Sequence, residues 1–480
     1  AIRRQLGEPS SAIRDSDEPL AKVTTPSLEA LRLFSDADRA FLDGDWDRAV
    51  LLLNQAAAVD TTFAMAYAKL ARIHFYSART AEGMKFSRMA FDRRERLTLR
   101  ERLYVESEYW RYRGHYDNAI SSMTALLERH PDDVETRTNL TTTYLWNLEF
   151  DKALATILDQ DDRETGTWQH LHALGNAYGF LGDYDAALAA FRRAQAVNPG
   201  PPRTQMCIAW CCICAGDNRA GVAALDSLSL MSDAAGVSPD YMIAKSLPVL
   251  GRCDEALRRL RRVRAEAGRN GRQGQQHWID LYTGMCESLR GNLSLALAAF
   301  RAADARMPGE AALDYVAGML AQTGDLDGAE AIAAELQGRG ADDAGTGGRS
   351  RVVTIRAQIA YQRGDYREAV GLYEALLPTT IDNLDSRFAM GRAQLAAGDL
   401  DGARRSFEFI IANRFMLFHE GTAFLWPLAE YELARVAESA GRTAEARAHL
   451  ESCLRIWADA DPDLPVLREA KAMLAALGGP

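Results

Sequence analysis

The sequence predicts an all-α fold, an α-solenoid of about twelve helical hairpins ended by a C-terminal capping helix, and three observations carry that prediction. The first is a recurrent turn in which Gly is usually followed two residues later by an aromatic residue or Leu and five residues later by Ala. The second is the spacing of these turns, which mostly falls on or beside 34 residues. The third is composition: 48% of the 480 residues are hydrophobic, 25% are charged and only 15 are Pro, a mixture that suits helices, short turns and a large core.

The turn appears first at Gly44/Trp46/Ala49 and returns at Gly114/Tyr116/Ala119, Gly182/Tyr184/Ala187, Gly251/Cys253/Ala256, Gly291/Leu293/Ala296, Gly324/Leu326/Ala329, Gly364/Tyr366/Ala369, Gly398/Leu400/Ala403 and Gly441/Thr443/Ala446. Weaker copies at Ala78 with Gly83, Leu148/Phe150/Ala153 and Gly216 with Gly221 fill the gaps. The steps between turn positions are 34, 36, 34, 34, 34, 35, 40, 33, 40, 34 and 43 residues. A helical bundle without repeats would not place Gly and Ala at fixed offsets along its length. One hairpin cannot bury its apolar side alone, so neighbouring hairpins must stack to form the core.

Between Trp168 and Pro201 one unit is nearly complete, with Leu174, Gly175, Tyr178, Gly182, Tyr184, Ala187, Phe191, Ala194 and Pro199. Gly175 and Ala187 let two antiparallel helices approach, Tyr178 and Phe191 fill the space on either side, and Gly182 supplies the turn. Pro199 stops the second helix, as Pro131 and Pro308 do elsewhere. With these residues and this period the chain resembles the tetratricopeptide repeat family, whose helix–turn–helix unit has ~34 residues. The resemblance extends from Leu28 to Cys453 and implies a right-handed superhelix whose first helices line an inner groove.

The organisation along the chain follows. Residues 1–26 read as an N-terminal junction or linker, 27–266 as an N-terminal array and 267–276, with Gly268, Gly271 and Gly274, as an inserted loop. Residues 277–337 read as central units, 338–349 as a glycine-rich hinge, 350–461 as C-terminal units and 462–480 as a capping helix and tail introduced by Pro462 and Pro465. Neither glycine-rich stretch ends in the Gly-Lys-Ser/Thr of a phosphate-cradling loop, so both read as connectors. The last extra length, Arg414 to Phe424, is rich in Phe and is expected to pack as an extended helix. Leu6-Gly7-Glu8 and the run Thr24 to Leu31 resemble the junction that precedes such arrays in bacterial multidomain serine/threonine protein kinases and related signalling proteins. A kinase module upstream is the corresponding expectation, and the start at Ala1 without Met or a signal-like pattern reads as a fragment or processed product.

Two residues before successive turns stand Leu42, Tyr76, Tyr112, Trp146, Phe180 and Cys214, a row with four consecutive aromatics that could grip an extended peptide. Packing between hairpins is the competing role for such rings. Six residues before the turns come Asp38, Arg72, Glu108, Thr142, Asn176 and Trp210, and ten before them Phe34, Ala68, Tyr104, Thr138, His172 and Met206. The expected partner-binding groove therefore comprises Arg72, Tyr76, Glu108, Tyr112, Trp146, His172, Asn176, Phe180 and Trp210. Co-chaperone members of the resembled family clamp a terminal carboxylate with Lys and Asn; here Thr138, Thr142, His172 and Asn176 stand in the matching places, so a chaperone tail is not the expected ligand.

Other chemistries find little support. A formal charge of −10 and a pI near 5.5 argue against nucleic acid, and Arg258, Arg259, Arg261, Arg262 and Arg264, with Glu255 and Glu266 nearby, read as a solvated outer face. The longest apolar run, Met206 to Ala215, is about half of the ~20 residues that span a bilayer, so no membrane span is expected. Cys207, Cys211 and Cys214 share a helical stripe beside Cys212 but lack a fourth ligand and read as small core residues; neither a metal nor a cofactor is expected. His170 and His172 point to different sides of a helix, and no catalytic motif occurs.

The first functional expectation is thus a non-catalytic protein–protein interaction scaffold or sensory region that binds a peptide or protein segment. The second is a regulator that senses a small ligand or peptide signal and changes curvature at Gly338 to Arg349, and the third is an enzyme built on helical repeats. Seven cysteines without a pairing framework lean towards a reducing compartment, whereas the kinase-type resemblance places such arrays on the extracytoplasmic face of a bacterial membrane protein.

Overall fold

The computed structural model describes residues 24–42, 45–76, 80–159, 167–231, 238–269, 273–307, 312–338, 347–376 and 384–478. Among these the chain is helical with no strand, and no helix is long and apolar enough to cross a membrane. It divides into two compact units, residues 1–143 and 144–480. The division falls inside a repeat, rather than at either glycine-rich stretch.

Unit 1 holds antiparallel hairpins formed by α1 (Leu28–Leu42) with α2 (Trp46–Val59), α3 (Ala64–Tyr76) with α4 (Thr80–Asp92), and α5 (Leu99–Tyr112) with α6 (Tyr116–Arg129). Helix α7 (Val134–Trp146) carries the division, and unit 2 continues with α8 (Phe150–Leu158). Its hairpins are α9 (Trp168–Phe180) with α10 (Tyr184–Val197), α11 (Pro202–Cys214) with α12 (Asn218–Leu228), and α13 (Pro239–Ser246) with α14 (Cys253–Arg269). They continue as α15 (Gln273–Leu289) with α16 (Leu293–Arg306), α17 (Ala312–Gln322) with α18 (Leu326–Gly338), α19 (Gly347–Arg363) with α20 (Tyr366–Glu374), and α21 (Leu384–Ala397) with α22 (Leu400–Ala412). A short α23 (Arg414–Glu420) precedes the last hairpin, α24 (Leu425–Ser439) with α25 (Thr443–Ile456), and α26 (Pro465–Ala476) caps it.

The turn signal read from the sequence has a backbone cause. Of the twelve turn positions, Gly44 and Ala78 lie outside the described residues; Gly114, Gly182, Gly216, Gly251, Gly291, Gly324, Gly364, Gly398 and Gly441 all adopt φ between 69° and 90°. The remaining position, Leu148, takes φ 58° despite its side chain, so the left-handed residue is demanded by the hairpin and not by glycine itself. In several copies Asp follows Gly and serves both helices. The Asp183 N–H donates to Tyr178 O (3.0 Å), closing the first helix, while its carboxylate accepts from the Ala186 N–H (3.0 Å), opening the second. Asp217 and Asp399 repeat the arrangement.

Close packing follows the expected logic at Gly175, where a Cβ would lie 2.7 Å from the Phe191 ring. Two expectations change. Of the stretch 267–276 expected as a loop, α14 takes in 267–269 and α15 takes in 273–276, because Arg, Glu and Gln around the glycines are good helix formers, and residues 270–272 lie outside the described residues. The 414–424 stretch is not an extended helix; α23 is set off by Gly421 at φ 84° and stands apart from α24. Residues 339–346 of the expected hinge lie outside the described residues.

Unit 2 also closes on itself. The Asn218 amide donates to Arg455 O (3.3 Å) and Ile456 O (3.1 Å), and the Trp457 indole N–H to Val249 O (3.1 Å). The Asp461 N–H donates to Gly251 O (3.0 Å) and its carboxylate accepts from the Asp254 N–H (2.7 Å). Residues more than 200 positions apart are thereby joined, and the bonds to Ile456 O, Asp461 and Val249 O are buried or part-buried.

Two glycines of one hairpin are expected to respond oppositely to alanine. Gly364→Ala places a Cβ at φ 89° and should cost about 1–2 kcal/mol, whereas Gly371→Ala, within α20 and in open space, should gain about 0.5–1 kcal/mol. Urea unfolding followed by circular dichroism measures both.

Candidate functional site

In unit 1 the predicted residues form a polar network. Glu108 is 5% exposed, accepts from Arg111 Nη2 at 2.7 Å and from the Tyr112 hydroxyl at 2.6 Å, and Tyr112 stacks on Phe75 with centroids 3.8 Å apart. Burial pushes the Glu108 carboxyl up, but the Arg111 and Arg72 guanidinium charges and the Tyr112 hydroxyl outweigh it and hold it below the ordinary glutamate value. Arg72 pairs with Glu135, and Lys69 with Asp38. Burial pushes the Tyr104 and Tyr112 hydroxyls up, with Glu108 adding to the effect, so both remain protonated donors. Arg72, Tyr104, Arg111 and Tyr112 stay partly exposed. Tyr76 ends α3, and its side chain lies outside the described residues.

In unit 2 the same register gives a different result. Phe180 is 7% exposed and Trp210 1%, so they do not floor an open groove; they lie beneath α23. Phe415 meets Phe180 edge-on at 5.6 Å, Phe418 stacks on Trp210 at 5.4 Å, and His419 contacts Trp146, Phe180 and Trp210 rings at 6.3, 5.2 and 5.1 Å. Gly179 makes the approach possible, since a Cβ there would fall 2.6 Å from the Phe415 ring. The Trp210 indole N–H donates to Ser246 Oγ (2.8 Å), and Lys245 Nζ to His419 O (3.0 Å).

The remaining predicted residues sit around this contact. Asn176 is partly exposed, with its Oδ1 4.0 Å from Cys207 Sγ. His172 is buried, its Nδ1 3.3 Å from Thr204 Oγ1, and burial with the nearby Arg203 charge pushes it down to about 3. Burial, then Arg203, lowers Lys245 to about 8; burial, then the Arg203 and Lys245 charges, drives His419 well below the usual histidine value. The four clustered thiols are buried, and burial pushes Cys207 and Cys214 up to about 12, which suits inert core residues. Among the described residues no group of His, Cys, Asp and Glu is arranged to hold a metal. Arg259 pairs with Asp240 (2.6 Å) and Glu255 (2.9 Å), as an ion-paired outer face would.

Lys245, Gly179, Phe415, Phe418 and His419 were not singled out by the pattern of single repeats. The usable signal was Pro202–Cys214 itself, a helix buried on nearly every side, which requires a cover on the face a repeat usually leaves to water.

Two family models, both described as tetratricopeptide repeat, match residues 171–201 and 388–465. No curated protein matches the chain. Among solved structures, the Cut9–Hcn1 hetero-tetramer of the APC/C is similar at 14% identity over 99% of this chain and 81% of that one, with a TM-score of 0.41. Yeast Tom70 is similar at 13% identity over 93% and 96%, with a TM-score of 0.36. A tetratricopeptide repeat protein from Parabacteroides merdae follows at 14% identity over 68% and 98%, with a TM-score of 0.27. Tetratricopeptide repeats are thus matched at residues 171–201 and 388–465, within an all-helical chain of successive hairpins.

Removing the Phe418 ring should cost unit 2 about 3–5 kcal/mol, because Trp210 loses its stacking partner and a cavity opens; thermal unfolding of Phe418→Ala measures this. A pH effect follows from His172. Its folded value of about 3 lies below the unfolded ~6.5, so the unfolded chain takes the proton first. The His172 contribution is whole above pH ~6.5 and declines towards pH 3, by up to about 1.4 kcal/mol per pH unit. Asp314 and Asp385, raised by burial to about 6, act in the opposite sense below that pH. The difference between wild type and His172→Gln isolates the histidine: the variant should lose less stability between pH 7 and 5.

Proposed function

We propose that this chain is a non-catalytic scaffold of a bacterial signalling protein in which the inner face of unit 1, around Arg72, Tyr76, Glu108 and Tyr112, receives an extended segment of a protein partner. Of the corresponding residues of unit 2, Trp146, Phe180 and Trp210 hold a segment of the same chain, with His172 and Asn176 on the same first helices beside them. The observation that carries this reading is α23, seven residues seated on the Trp146, Phe180 and Trp210 rings of three successive first helices. It is a direct instance of what such a face can bind: a short helix with apolar side chains inward and its carbonyl taken by a lysine. In unit 1 the partly exposed ions and tyrosines offer charged and hydroxyl contacts instead, suited to a polar segment. The kinase-like junction at Leu6 to Glu8 and Thr24 to Leu31 supports the signalling context.

A pull-down from bacterial lysate with the whole chain as bait tests the reading. The Arg72→Ala/Tyr112→Ala variant, shown to be folded by circular dichroism, should capture the partner about tenfold less well than wild type. Undiminished capture by the folded variant would place the contact elsewhere.

A further inference from the structure

A cleft of about 250 Å³ lies at the seam where unit 2 closes, between the turn that follows α11 and the helices α22 to α25. Arg414 lines one side. Its Nε donates to Cys214 O and its Nη1 to Ile411 O, both at 3.2 Å, while the guanidinium carbon lies 4.9 Å from the Tyr184 ring centroid and 5.3 Å from that of Trp426. These contacts fix the group but leave donors unused. Arg455, exposed at the mouth, is the second cation, and among the described residues neither arginine forms an ion pair.

The floor carries two further polar groups. Trp426 is 7% exposed, and its indole N–H is buried without an acceptor, a condition that costs about 1–3 kcal/mol when nothing fills it. Glu430 is 7% exposed; its Oε1 accepts from Ser452 Oγ at 2.9 Å and its Oε2 lies 2.8 Å from His449 Nδ1. Each carboxylate oxygen keeps a lone pair beyond these bonds. Glu430 and Arg414 line the same cleft without pairing with each other, each tied by its own neighbours. Ile213 and Ile456 supply apolar walls.

A simple anion in this space would meet the Glu430 carboxylate, and a simple cation would meet two arginines. A ligand with one charge of each sign and an apolar body satisfies all of them. We propose that the cleft binds a free apolar α-amino acid, its carboxylate on Arg414 and Arg455 and its ammonium on Glu430. The volume suits a ligand of that size rather than a folded segment. Because Arg414 is the first residue of α23, occupancy ties that helix to the seam; this coupling rests on the reading of α23 given above, whereas binding itself does not.

Calorimetric titration and thermal shift of the full chain test the assignment, using leucine, isoleucine, valine, methionine and phenylalanine as probes. Isocaproate, isoamylamine and inorganic phosphate serve as probes lacking one charge or the apolar body. At least one amino acid should bind and raise the midpoint, and its des-amino and des-carboxy counterparts should bind about tenfold more weakly or not at all. Arg455→Ala and Glu430→Gln should each weaken the amino acid about tenfold. Arg455 makes no side-chain bond within the described residues and Glu430→Gln keeps its shape, so unchanged unfolding midpoints without ligand separate lost binding from lost folding. No binding by any of the amino acids at millimolar concentration, equal binding of phosphate, or amino-acid binding unaltered by both variants would each overturn the proposal.

Discussion

Trp210 sits in a helix, Pro202–Cys214, that is buried on nearly every side, and such a helix is stable in a stack of hairpins only when its inner face is covered as well as its outer one. The cover is the stack of Phe418 on Trp210 and of Phe415 against Phe180. Burying an aromatic or aliphatic side chain contributes about 1.5–3 kcal/mol, and Phe415, Met416, Leu417 and Phe418 are all buried. Against this stands the desolvation of Lys245 and His419, which the Lys245 hydrogen bond to His419 O and the neutral state of the imidazole reduce. The apolar gain is the larger of the two.

Much of unit 2 depends on that contact. Gly179 must lack a side chain for Phe415 to reach Phe180, and Arg414 must leave α22 in the direction that meets Cys214 O. From there α24 and α25 are brought to Asn218, Val249 and Gly251, where indole, amide and carboxylate groups lock the seam. Unit 1 uses the same positions of its repeats for ions: Glu108 and Tyr112 are satisfied together with Arg111, Arg72 pairs with Glu135, and the group keeps an edge to solvent. One repeat frame thus carries two surface chemistries, set by the residues two and six positions before each turn.

The hairpins were legible because their signal is local. A left-handed residue must end each first helix, and Gly at 114, 182, 216 and the later positions answers that demand; Leu148 shows that the frame persists where the letter is lost. The individual site residues lie on first helices, as the repeat frame implies, but their environment was not legible. Phe180 and Trp210 look like a groove floor in the repeat frame, and only the residues 414–420, about 200 positions away, turn them into core. Periodicity describes neighbours in sequence and is silent about a segment returning from the far end. The excess length before Gly441 and the apolar run of α11 were two halves of one contact, visible separately and joined only by the fold.

Hydrogen exchange of the backbone amides in α23 tests the central claim most directly. If this helix is part of the unit 2 core, the Gly421 and Thr422 amides, which donate to Leu417 O at 2.9 Å, should exchange only with the same opening free energy as the amides of α11. Exchange of these amides by a separate, low-energy opening, while α11 stays protected, would show that α11 does not need its cover and would contradict the account.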